Sequence, residues 1–143
     1  MMENWIVYGV IAAIFFGINT VIFKIAIQKG NLNPAYASLA FGVGTLITFL
    51  IYYFANPGWQ FEWKSTSIAV FAGVTWAIGM IAIAIAISQK GNIAQLAPIY
   101  NTNTIIAVIL GIILLKEIPD MSQIIRIVIG AVMIVIGAVL VSV

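Results

Sequence analysis

Residues 92–116 read NIAQLAPIYNTNTIIAVILGIILLK. About 20 mainly apolar residues, each rising about 1.5 Å, cross the roughly 30 Å hydrocarbon core of a bilayer, so this stretch is long enough to span one. It departs from a plain apolar anchor. Pro98, Tyr100, Asn101, Thr102, Asn103 and Thr104 lie between its first third and its middle. Little water reaches that depth, so those polar groups must meet another helix, a bound water or a solute. An apolar span that breaks its own pattern at mid-depth is where function is expected.

The rest of the chain is of the same kind. Its 143 residues are 64% hydrophobic and 7% charged, with a mean hydropathy of +1.18. Soluble domains are about 45–50% apolar and about 25% charged, so the composition specifies an integral membrane protein. The net charge is +2 and the basic residues are scattered singly, which excludes a nucleic-acid-binding surface. Cys and His are absent, removing thiol chemistry and the commonest metal ligands. No Ser–His pair, paired acids or metal ligands lie at depth, so neither an intramembrane enzyme nor a metal or cofactor site is expected. The first residues, MMEN, have no basic n-region, and the apolar run after them is too long for a signal-peptide core. It reads as a retained first helix.

Hydropathy and turn signals predict an all-α protein with five crossings, over about 5–27, 35–55, 67–87, 92–116 and 122–143. Gln28-Lys29-Gly30 and Asn31-Leu32-Asn33-Pro34 form the first link, and Ser88 to Gly91 a tight third one. The longest loop, 56–66, opens on Asn-Pro-Gly, and its Trp59, Phe61 and Trp63 suit the headgroup zone. Residues 81–87, IAIAIAI, alternate as a strand would. The alternation is of small and large apolar residues, however, and a membrane barrel needs polar lumen-facing positions. A helix is expected there.

Alternating the loops across the membrane puts Lys64, Lys116 and Arg126 on the N-terminal side and Lys24, Lys29 and Lys90 on the other, three against three. Orientation is normally set by an imbalance of Lys and Arg. The balance points to insertion in both orientations and an antiparallel homodimer, in which two copies act as inverted repeats. The alternative is a small protein oriented by other signals or by a partner.

Three stretches carry a family resemblance. AAIFFGINTVIFKIA, with Gly17, Asn19 and Lys24, resembles the first helix of the EamA-type domain of the drug/metabolite transporter superfamily. LAPIYNTNTIIAVILGIILLKE is similar to its fourth helix, with Pro98, a small polar middle, Gly111 and the closing Glu117. QIIRIVIGAVMIVIGAVLV resembles its fifth, with paired glycines. Most members carry two such domains, usually ten helices in one polypeptide. The resemblance implies that the protein is a single five-helix domain, one half of a ten-helix inverted-repeat transporter, working as a dimer. Related four-helix multidrug exporters use a carboxylate in the first helix. No Asp or Glu lies within any crossing here, so proton-coupled cation export is not expected.

The candidate substrate-binding residues are Asn101, Asn103, Tyr100, Asn19 and Trp76. An amide is both donor and acceptor, which suits a neutral or zwitterionic solute. The competing role for the asparagines is hydrogen bonding between helices. Asn101 and Asn103 are two apart and cannot share one helix face. Trp76 lies at mid-depth, where it either packs in the core or stacks on a solute ring. Pro98 removes the hydrogen bond to the Ala94 carbonyl and introduces a kink, static or gating, and Gly17 is a second candidate for gating. Gly130 and Gly137, seven residues apart on one face, suit helix or dimer packing. Thr45, Thr48 and Thr75 are expected to bond their own backbone, and Lys24 and Arg126 to snorkel to the interface. The function expected is alternating-access transport of a small polar metabolite, an amino acid or sugar, across a prokaryotic cell membrane. The partners expected are a second copy, the solute and lipid. The rivals are a non-transporting membrane subunit and a half-transporter that pairs with a different protein.

Overall fold

The computed structural model describes residues 4–58, 60–116 and 120–142. Five segments are long and apolar enough to cross a membrane: Trp5–Lys29, Pro34–Ala55, Trp63–Ser88, Ile93–Leu114 and Ser122–Ser142. All are helical, including the alternating 81–87 run, and the described residues contain no strand. They fall into two compact units, Met1–Lys90 and Gly91–Val143.

The first unit holds α1 (Asn4–Lys24), α2 (Pro34–Ala55) and α3 (Trp63–Ser88). Helix α1 runs on into one π-helical turn, Ile25–Lys29, closed by the Gly30 N–H donating to the Ile25 carbonyl at 2.9 Å. That closure requires glycine. A Cβ on Gly30 would stand 2.5 Å from the Ala26 carbonyl oxygen. The link then reverses through Asn31, at φ 52°, a backbone state that Asn tolerates better than most residues. Asn33 caps α2, its side-chain oxygen accepting from the Ala35 N–H at 2.9 Å, with Pro34 as the first helical residue. Asn56 ends α2, its N–H and side-chain amide both reaching the Tyr52 carbonyl at 3.1 Å.

Helix α3 begins at Trp63, four residues before the sequence-based start at 67. The cause is Glu62, whose carboxylate accepts from the Lys64 and Ser65 N–H groups at 3.0 and 2.6 Å. A Ser or Asn would have signalled a cap at once, and a Glu does not. Hydrogen bonds from the Ser65 side chain, then from the Ser65 and Lys64 amides, hold this carboxyl below its ordinary value.

Packing within this unit is uneven. Its buried residues are Phe23, Ile27, Ala37, Ala84 and Ile87, all near the helix ends that adjoin the 28–34 and 88–91 links. There the Gln28 side-chain amide donates to the Ile87 carbonyl at 2.9 Å, tying the π turn to the end of α3. Toward the opposite ends, Phe15, Phe16, Phe49, Phe54, Ile68 and Phe71 are exposed. In a bilayer such faces meet lipid or another helix.

The second unit holds α4 (Ile93–Tyr100), α5 (Asn103–Leu114) and α6 (Met121–Ser142). Asn92 caps α4 by accepting from the Ala94 N–H at 3.1 Å. Helices α4 and α5 together make one crossing, interrupted at Asn101-Thr102. Helix α6 packs against α4 and buries Ala138. Glu117, the closing glutamate of the family resemblance, lies outside the described residues.

Candidate functional site

Polar groups at mid-membrane depth fall into two sets. The hydroxyls are satisfied within their own helices: Thr20 donates to the Phe16 carbonyl, Thr45 to Gly42, Thr48 to Gly44 and Thr75 to Ala72, at 2.8–2.9 Å. These are the local backbone bonds expected of threonine in an apolar medium. The amides are not. Among the described residues, no hydrogen bond reaches the side chain of Asn19, Asn101 or Asn103. Asn19 is half-buried, whereas Asn101 and Asn103 are exposed.

In the first unit three aromatic rings join the three helices. The centroids of Phe23 (α1) and Phe41 (α2) are 5.3 Å apart, and those of Phe41 and Trp76 (α3) are 5.4 Å apart, with interplanar angles of 51° and 32°. These separations fall in the range of favourable ring pairs. Asn19 lies one turn from Phe23 along α1 and Thr45 one turn from Phe41 along α2, so each shares a helix face with its ring. Trp76 stays 44% exposed.

In the second unit the polar run is divided between structure and surface. Pro98 has no N–H to offer the Ala94 carbonyl, yet the helix continues to Tyr100 and breaks one turn later. The break is built by threonine. The Ile99 carbonyl accepts both the Thr102 N–H, at 3.2 Å, and the Thr102 hydroxyl, at 2.7 Å. The Asn101 carbonyl accepts the Thr104 N–H at 3.2 Å and its hydroxyl at 3.0 Å. Bonds spanning three residues tighten the backbone into 3₁₀-like turns. In Asn101-Thr102-Asn103-Thr104, therefore, the threonines close the break and the asparagines present their amides. Asn101 and Thr104 line a groove of about 460 Å³ with Pro98, Ile134, Gly137, Ala138 and Val141.

The structure thus brings Pro98, Asn101 and Gly137 to one groove and links Trp76 through two rings to the face of α1 that carries Asn19. Tyr100 is half-buried at the end of α4. Asn103 opens α5 and does not line the groove. A Cβ at Gly17, Gly130 or Gly137 would meet nothing within 4 Å among the described residues of its own unit. Phe23 and Phe41 are not legible as site residues in the sequence, because an apolar ring in an apolar span carries no signal. Only the pairing of three helices gives them a role.

A model of the EamA-like transporter family matches residues 3–143. The protein is 29% identical over 98% of its length to one of Lactiplantibacillus plantarum, and 25% identical over 98% to one of Listeria innocua, each named "putative sugar uptake protein". It covers 48% and 49% of those two proteins, so it spans about half the length of these curated relatives. It is also 28% identical to an uncharacterised protein of Methanocaldococcus jannaschii, over 99% of its own length and 98% of that relative's. No solved structure matches. With its five apolar helices, this is a multi-pass protein of the prokaryotic cell membrane, and it belongs to the EamA-like transporter family.

Proposed function

We propose that the protein is one half of a transporter for a small polar metabolite, and that two copies, inserted in opposite orientations, form the working unit. The observation that carries this reading is the set of mid-depth amides, Asn19, Asn101 and Asn103, that have no partner among the described residues, beside threonines that all have partners. An unmet amide in hydrocarbon costs about 1–3 kcal/mol or more. It is tolerated where a solute or solvent path supplies the missing bonds. The interrupted α4–α5 crossing supports the same reading, since transporters place their sites at broken helices near the midplane.

Two copies are supported by the relatives' lengths and by charge. The protein covers 98% of the archaeal relative and about half of each bacterial one. The Lys and Arg count gives neither orientation an advantage. In this reading Asn101, Asn103 and Tyr100 in the second unit and Asn19 and Trp76 in the first are the candidates for solute contact, Pro98 and Gly17 serve gating, and Gly130 and Gly137 pack against a helix or the second copy.

The test is solute counterflow in proteoliposomes with Asn101→Leu and Asn19→Leu. The expected outcome is an intact dimer by cross-linking with flux reduced about tenfold or more, the worth of one good hydrogen bond. Loss of the dimer in Asn101→Leu would instead make the amides assembly contacts of a non-transporting subunit.

A further inference from the structure

The aromatic trio identifies a class of solute. Beneath it, toward the 28–34 and 88–91 links, the first unit is closed by the buried residues Ile27, Ala37, Ala84 and Ile87. Away from that plug the side chains become exposed. Trp76 stands at the boundary, near the middle of α3, far from the interfacial belts where tryptophan's amphipathic ring usually sits. Phe41, itself backed by Phe23, supports its ring, and 44% of the residue is open. Its indole N–H has no acceptor among the described residues.

Two polar groups, each one helical turn from a ring of the trio, narrow the choice further. Asn19 offers an unpartnered donor and acceptor. The Thr45 hydroxyl, which spends its proton on the Gly42 carbonyl, can still accept. The helices α1, α2 and α3 contain no Asp or Glu, so an ammonium group would find no counter-charge here. The shelf therefore suits a neutral molecule that has one apolar face and a rim of hydroxyls. A pyranose has both: its axial C–H bonds, positive at hydrogen, match the negative face of an indole.

We propose that Trp76, supported by Phe41 and Phe23, is the stacking surface for a ring-form monosaccharide, with Asn19 and Thr45 bonding its hydroxyls. This names the solute class of the transporter reading and rests on that reading only for the solute's passage. The test uses the full-length protein in lipid nanodiscs with Trp5, Trp59 and Trp63 changed to Phe, so that Trp76 is the sole emitter. D-Glucose and D-galactose should shift its fluorescence saturably, while L-alanine and the acyclic polyol mannitol should not. In proteoliposomes Trp76→Leu should raise the KM for D-glucose about tenfold, and Trp76→Phe, which keeps a ring, should recover most of it. Saturable sugar binding without vesicle uptake would uphold the stacking site and overturn the transporter reading. No response to either sugar, an equal response to mannitol or alanine, or D-glucose uptake with the same KM in Trp76→Leu would overturn the stacking site and leave transport standing. If Trp76→Leu fails to fold, the fluorescence titration decides alone.

Discussion

At the scale of single residues, the amides and hydroxyls at mid-depth differ in whether their side chains have partners among the described residues. Among the described residues the side chains of Asn19, Asn101 and Asn103 make no hydrogen bond, although Asn56 shows that an asparagine amide can reach the carbonyl four residues back. Threonine's hydroxyl reaches the carbonyl three or four residues back. Thr102→Val should therefore cost stability, about 1 kcal/mol for the lost bond to the Ile99 carbonyl, whereas Asn103→Leu should cost flux and leave thermal unfolding nearly unchanged. Paired unfolding and counterflow measurements check both. Gly30→Ala should destabilise the protein by about 1–3 kcal/mol, because the new methyl meets the Ala26 carbonyl oxygen, a backbone atom that cannot swing away. Glu62 adds a pH dependence. Its carboxyl titrates below the ordinary 4.5 because the folded state donates hydrogen bonds to it. The cap is thus fully present above that value and is lost as pH falls through the lower, folded one. The Ser65 amide resonance should report this loss on acidification, and Glu62→Gln should abolish its titration.

Helices are legible in the sequence to different degrees. Every crossing is visible there, because only long apolar runs can satisfy their backbones in lipid. What escapes are features made by hydrogen bonds instead of hydropathy. The π turn at Ile25–Lys29 depends on a close backbone approach at Gly30, and no periodicity encodes that. A kink is expected at Pro98, where the chemistry is plain, but the interruption falls at Asn101-Thr102, where two threonine hydroxyls share carbonyls with their own amides. Pro98→Ala should thus leave the break in place. It restores the N–H that the Ala94 carbonyl lacks, so unfolding should move to higher temperature, by up to about 3 kcal/mol in stability. Flux should fall if the missing bond serves as a hinge. Of the candidate site, Asn101, Pro98 and Trp76 stand out in the sequence as polar, kinked or misplaced residues. Phe23 and Phe41 do not.

For the whole molecule the governing fact is how little of the apolar surface is covered. Among the described residues only Phe23, Ile27, Ala37, Ala84, Ile87 and Ala138 are buried hydrophobics, and the faces of α1, α2, α3 and α6 that carry the large side chains lie open. Lipid can cover such faces, but the unmet amides ask for more. In the proposed function a second, inverted copy would cover these faces and supply the symmetry that alternating access uses. The most direct measurement is topology. The protein has no native Cys, so a single one at position 4 or 142 can be tested in intact cells with an impermeant thiol reagent. The antiparallel account predicts that each position labels in about half of the molecules, since Lys and Arg favour neither orientation. Complete labelling at one position and complete protection at the other would contradict it, leaving a parallel homodimer or a different protein as the second half.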